Sequence, residues 1–303
     1  MGRPGDSRRR RRPARWPWGI CLALLLSAAG AGEPGPVALA LIIDDMGNQR
    51  DWGEAALELP GEVTYAFLPH TPHAADLARR AHARGRQVML HLPMASAEGN
   101  PLGPGALTLH MDEAEFKETL ADNLAAIPYV AGVNNHMGSL LTRHPGAMTW
   151  VMQALRQRWP GLFFVDSRTA PETVALDVAL EQGVPATRRN VFLDNERDPE
   201  AIRIQLERAV ALARREGSAV AIGHPYPETV AALKRLLPTL AGRGVRLVRA
   251  SRLIQLQQRR NSIWQQPSSP WLRVAKNSRP SPSSTCCAAP ASRSSPPGSN
   301  PVR

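Results

Sequence analysis

Val37-Ala38-Leu39-Ala40-Leu41-Ile42-Ile43-Asp44-Asp45-Met46-Gly47 is the stretch that decides the fold. Seven apolar residues run straight into two carboxylates, which reads as a strand buried on both faces. Such strands belong to parallel sheets covered by helices, and function collects just past their carboxyl ends. Asp44 and Asp45 stand at such an end. Adjacent strand residues point to opposite sides, so one carboxylate is expected to face the barrel axis and the other the rim. Two charges at the mouth of an apolar strand are unfavourable unless they are solvated, paired or bound to a cation. The pair therefore reads either as a cap for the next helix or as part of a metal site.

Outward from this strand the same pattern repeats. Strands are expected at 63–68, 87–90, 129–133, 162–165, 219–222 and 245–248, with a short one at Ala186. Helices are expected between them at 73–84, 112–126, 145–158, 174–182, 199–216 and 228–240. Alternation of strand and helix predicts an α/β fold with a parallel sheet, here a barrel or distorted barrel. One domain is expected over residues 37–256, a length that suits a single α/β unit.

The ends of the chain are of another kind. Arg3, Arg8 to Arg12 and Arg15 precede the short apolar core Ile20 to Ala29, and Ala29-Gly30-Ala31 fits a small-x-small cleavage site. Residues 1–31 are expected to be a signal peptide, 32–36 a short linker, and the protein periplasmic. The apolar core is shorter than the roughly 20 residues that span a bilayer, so an uncleaved segment is the one membrane contact expected. Residues 257–303 are rich in Ser, Pro and Arg and are expected to be a disordered tail. The net charge of +11 resides in these ends, since 1–36 carry +5 and 257–303 carry +7, leaving −1 for the core. A nearly neutral core argues against a nucleic-acid partner. No cysteine lies in the core, which excludes a disulfide framework and cysteine-ligated zinc there.

Polar residues recur at one kind of place. Asp44, Asp45, His91, His136, Asp166 and His224 each follow an apolar strand by zero to three residues. In a parallel sheet these termini share one face. A single strand-end histidine means little, but three beside an Asp pair suit a divalent metal that keeps a position open for water. On this reading the Asp pair supplies one ligand and one base. His91 and His136 supply neutral nitrogens, and His224 is left as the acid that protonates a leaving amine. Asn135 and Arg168 are candidate substrate or supporting residues beside Asp166. A glycine-rich phosphate loop and a Gly-x-Ser-x-Gly elbow are both absent from the sequence.

Five separated stretches carry a resemblance. Ile42 to Gly47, His91-Leu92-Pro93-Met94, Gly132 to Ser139, Phe164 to Thr169 and Ile222-Gly223-His224-Pro225 together resemble the divergent polysaccharide deacetylases, exported relatives of the NodB-type carbohydrate deacetylases. The resemblance implies a distorted seven-stranded β/α barrel and metal-dependent hydrolysis of N-acetyl groups. It further implies Asp44 as base, Asp45 as metal ligand, and His224 as the group assisting departure of the amine; His91 and His136 as ligands rest on the reading of the strand ends above. The expected cofactor is a divalent metal, zinc first, and the expected substrate an envelope polysaccharide such as peptidoglycan. The better-known deacetylases carry two metal histidines close together on one loop, whereas here the ligands would come from three strands. Two other readings stand beside this one: a non-catalytic envelope protein using the barrel to bind a glycan or protein, and a metallohydrolase of another amide or ester.

Overall fold

The computed structural model describes residues 37–265 together with Gly2, so the expected signal peptide, the linker and tail residues 266–303 lie outside the described residues. The first half of the described chain runs β1 Val37–Met46, α1 Arg50–Leu57, β2 Thr64–Phe67, α2 Ala74–Ala83, β3 Gln87–Met94, α3 Glu113–Ala126, β4 Val130–Met137 and α4 Pro145–Arg158. It continues β5 Phe163–Asp166, α5 Ala175–Glu181, β6 Ala186–Arg188, β7 Val191–Phe192, α6 Pro199–Glu216, β8 Ser218–Gly223, α7 Pro227–Leu236, β9 Val245–Leu247 and α8 Ala250–Gln265.

The strands form one sheet in the order β6-β5-β4-β3-β2-β1-β8-β7, with β9 beside β1, and every pairing is parallel. The first and last strands of that order, β6 and β7, are separated in sequence by Arg189 and Asn190 alone. Three Cα steps span at most about 11 Å. The sheet must therefore curl until its ends meet, which makes it a distorted β/α barrel. It has nine strands where the resemblance implies seven, because the short pieces Ala186–Arg188 and Val191–Phe192 pair in their own right.

Alternation along β1 divides the core. Leu39, Leu41 and Ile43 join the cluster packed beneath the helices, while Ala38, Ala40 and Ile42 join a second cluster inside the barrel. Period two thus builds both layers from one apolar run. The floor of the barrel is sealed by α8, whose Ala250, Leu253 and Ile254 belong to the inner cluster. Its polar contacts go to the first residues of three strands. Ala250 N donates to Thr64 Oγ1 at 3.1 Å, Ser251 N to Gln87 Oε1 at 3.2 Å, and Gln257 Nε2 to Ser218 Oγ at 3.1 Å. The expected start of the tail at Gln257 is therefore corrected, because the helix continues to Gln265 and Gln257 is tied to the barrel.

Two further boundaries move. His91 lies inside β3 and not at its end, and Asn134 to Met137 are strand and not loop. The residues His91 to Met94 pair in register with Asn134 to Met137, so the ladder carries both strands up to the rim. Among the described residues no helix is long and apolar enough to cross a membrane.

Candidate functional site

The site follows from strand phase. Asp44 continues the inward series Ala38, Ala40, Ile42 and is buried. On β3, Met89 faces the barrel interior and His91 is next in phase. Asn134 stands opposite His91 on β4, with His136 two residues further along the same face. On β8, Val220 and Ile222 face inward, and His224 follows in phase.

Asp45 is the departure. Its φ of 54° and a register shift between Ile43 and Met46 break the alternation. Instead of pointing away from Asp44, its carboxylate swings over the barrel mouth, so both acids border one cleft. Gly47 completes the turn: at φ 121°, an added Cβ would stand 2.3 Å from Thr71 Oγ1.

Three donor atoms converge there. Asp45 Oδ1 lies 3.1 Å from His91 Nε2 and 3.0 Å from His136 Nδ1, and the two imidazole nitrogens are 3.1 Å apart. Although close to both rings, Asp45 Oδ1 is buried and makes no aligned hydrogen bond. Divalent ions held by nitrogen and oxygen at about 2.0–2.2 Å place neighbouring donors about 2.9–3.4 Å apart. A triangle of this size around an orphaned carboxylate oxygen fits one such ion, and Asp45, His91 and His136 form a candidate metal cluster.

The supporting residues set the protons. Asn134 Nδ2 donates to both oxygens of Asp44, at 2.8 and 3.0 Å. That turns Asn134 Oδ1 toward His91 Nδ1, 2.9 Å away, which must then carry the hydrogen. The lone pair of His91 is thereby left on Nε2, facing the triangle. His224 is held by Asp194, whose Oδ1 lies 3.0 Å from its Nδ1 and whose Oδ2 accepts its backbone N–H at 2.7 Å. Thr229 donates a further hydrogen bond to Asp194 Oδ2 at 2.8 Å. The free Nε2 of His224 faces the cleft, 3.7 Å from Asp45 Oδ2.

Burial raises the carboxyl of Asp44, with the charges of His91 and His224 and the Asn134 bond working against it. Burial acts the same way on Asp45, but its closeness to His136 and His91 prevails and holds it well below the usual carboxylate range. Burial would lower His91, yet Asp44 and Asp45 push it up to about 9. His224 is likewise raised: Asp194 and the charge of Asp45 outweigh its burial.

A cleft of about 360 Å³ takes in Asp44, Asp45, His91, His136 and His224. Arg168 and Asn135 line it too, and Asn135 also braces its wall, accepting Ser167 N–H and donating to Met137 O. Asp166, expected as a substrate or supporting residue, does not line the cleft itself but bonds to the backbone of Arg168, which does. Phe163 and Val165 take the inward phase of β5, so Asp166 points to the outer layer and caps its own loop through Arg168 N–H and the Thr173 hydroxyl. Three contributors escaped the sequence reading: Asn134, Asp194 and Arg189. For Asn134 the signal existed, since it shares period-two phase with His136; nothing in the sequence joins Asp194 to His224, 30 residues on.

Comparison with known proteins agrees with this architecture. The model of the divergent polysaccharide deacetylase family matches residues 41–254. YibQ, an uncharacterized protein of Escherichia coli K12, is 40% identical over 216 residues, 71% of this chain and 67% of that one. An uncharacterized protein of Haemophilus influenzae Rd is 37% identical over 202 residues, 67% of this chain and 71% of that one. The crystal structure of uncharacterized protein ATU2773 from Agrobacterium tumefaciens C58 superposes with a TM-score of 0.69 at 25% identity, covering 72% of this chain and 89% of that one. With 214 residues matched, from the first strand to the helix that floors the barrel, the chain belongs to the divergent polysaccharide deacetylase family.

Proposed function

We propose that this protein is a metal-dependent hydrolase that removes N-acetyl groups from an envelope polysaccharide, with peptidoglycan the nearest candidate by compartment. The observation that carries the reading is the donor triangle of Asp45, His91 and His136, bordered in one cleft by Asp44 and by an Asp194-held His224. When bound, a divalent ion such as zinc would supply a water of lowered pKa and polarise the acetamide carbonyl. Asp44, whose raised carboxyl is a better proton acceptor than an exposed one, takes the proton of the attacking water. Asn134 keeps both Asp44 oxygens in place while it does so. His224, whose protonated form Asp194 favours, gives a proton from Nε2 to the amine nitrogen as its bond to the acyl carbon breaks. The products are acetate and a free amino sugar. The basic and apolar segment at residues 3–29 supports export, hence action outside the inner membrane.

Elemental analysis of the purified full chain, with acetate release measured from peptidoglycan and from neutral N-acetylglucosamine oligomers, tests the reading. One divalent ion per chain and release abolished by Asp44→Asn are expected. Protein without metal and without release from either polymer would overturn it in favour of a binding module.

A further inference from the structure

Two cations line the cleft without a direct salt bridge. Arg168 and Arg189 border the same space as Asp44, Asp45 and His224. Among the described residues neither forms a salt bridge, whereas the surface residues Arg203, Arg243 and Arg249 each pair with a carboxylate. Asp44 shares the cleft and its charge reaches Arg189, but the carboxylate is bonded to Asn134 and makes no ion pair with either arginine.

Arg189 is held as if for use. Its Nε donates to Ser167 O at 2.6 Å and its Nη2 to Arg168 O at 2.8 Å, which fixes one edge of the guanidinium against the loop after β5. Its plane is steadied by Phe192, with Cζ 4.9 Å from the ring centroid. The remaining edge, Nη1 with the second Nη2 hydrogen, has no acceptor among the described residues. A half-buried cation at a cleft, with hydrogen-bond donors unused, is further stabilised by a negative group that bonds to them. A planar fork of two parallel N–H groups matches a carboxylate.

We propose that the cleft takes an N-acetylated sugar that also bears a carboxylate, such as a uronate or a lactyl ether, with Arg189 and Arg168 receiving the carboxylate while the acetamide lies at the Asp45–His91–His136 triangle. This rests on the deacetylase reading and narrows it from any acetylated glycan to an anionic one. It also separates two roles for Arg189, since a residue that merely ties down the loop would not distinguish charged from neutral sugars.

The test is calorimetric titration of full-length Asp44→Asn protein with two tetramers of equal length. One is a neutral N-acetylglucosamine tetramer, and the other carries a lactyl carboxylate on alternate sugars. The anionic tetramer is expected to bind about tenfold tighter, as one charge-assisted contact would give. That preference should fade at high salt and vanish when Arg189→Gln is added. If Arg189→Gln lowers the melting temperature enough to cloud the result, Arg168→Gln decides, because its exposed side chain makes no described hydrogen bond; the preference should shrink. Equal affinity for the two tetramers, or a preference that survives both substitutions, overturns the proposal. Acetate release by the unmodified protein is read in parallel. Its failure on both tetramers would end the hydrolase reading, while the binding preference is judged separately.

Discussion

Asp194 grips His224 twice: one carboxylate oxygen lies 3.0 Å from the ring Nδ1, and the other accepts the backbone N–H of the same residue at 2.7 Å. One contact orients the imidazole and the other anchors its backbone, which turns Nε2 to the cleft. Asp194→Asn keeps the size of the side chain but removes the charge that favours the protonated ring. In a triad, that kind of change costs about four orders of magnitude in kcat; here a loss of about 10²- to 10⁴-fold is expected. The alkaline limb of the kcat profile, set by the His224 proton, should move to lower pH. An unchanged limb would mean that Asp194 only braces the backbone.

Metal and proton compete for His91. In metal-free protein its pKa is pushed up to about 9 from 6.5, so its contribution to stability is complete below about pH 6.5 and is lost as pH rises through 9. Asp45 runs the other way, since its depressed carboxyl contributes above its unfolded value of about 3.9 and loses that contribution on acidification. A bound ion must displace the His91 proton, so its apparent affinity should rise with pH between 6.5 and 9. The increase in melting temperature on adding Zn²⁺ to chelator-treated protein should accordingly be larger at the upper end of that window than at the lower. A flat or inverted trend would place the ion elsewhere.

Much of this arrangement could be read from residue order because the informative residues obey period two. The run before Asp44 announces a strand buried on both faces, and His91, His136 and His224 each extend an inward series on a different strand. The errors have physical causes as well. Asp166 lies one residue out of phase with Val165, so it faces away from the cleft and acts on it only through the backbone of Arg168. Asn134 and Asn135 read as loop because polar side chains are rare in buried strands, yet here they are bonded across the rim. Asp45 defeats alternation altogether through its positive φ, which no apolar pattern encodes.

Asn134 stands between the proposed base and the metal cluster, so its loss should register in both. In Asn134→Ala, Asp44 loses its two donated hydrogen bonds and His91 loses the acceptor that fixes its tautomer. Removing a partner of a metal-bound histidine typically weakens metal affinity about 10- to 100-fold. Competition with a chromophoric chelator measures that directly, and Asn134→Gln, which cannot span the same two contacts, should resemble the alanine variant. Native-like affinity in both would show that the ring of His91 is held by packing alone.

The floor of the barrel makes a prediction about stability apart from any chemistry. Leu253 is fully buried in the inner cluster, although it sits in a segment dense in Arg and Gln that offers little apolar signal. Leu253→Ala opens a void in the inner cluster, whose many small or branched members, Ala38, Ala40 and Val248 among them, cannot easily collapse into it. A loss of about 2–5 kcal/mol is expected by urea denaturation. Truncation after residue 256 should cost less, since it keeps Leu253 and Ile254 but removes the Gln257–Ser218 bond and the last turns of α8. Should the truncated chain prove the less stable of the two, the weight of the floor would lie beyond Leu256, in the polar end of the helix, and not in the apolar residues that face the barrel.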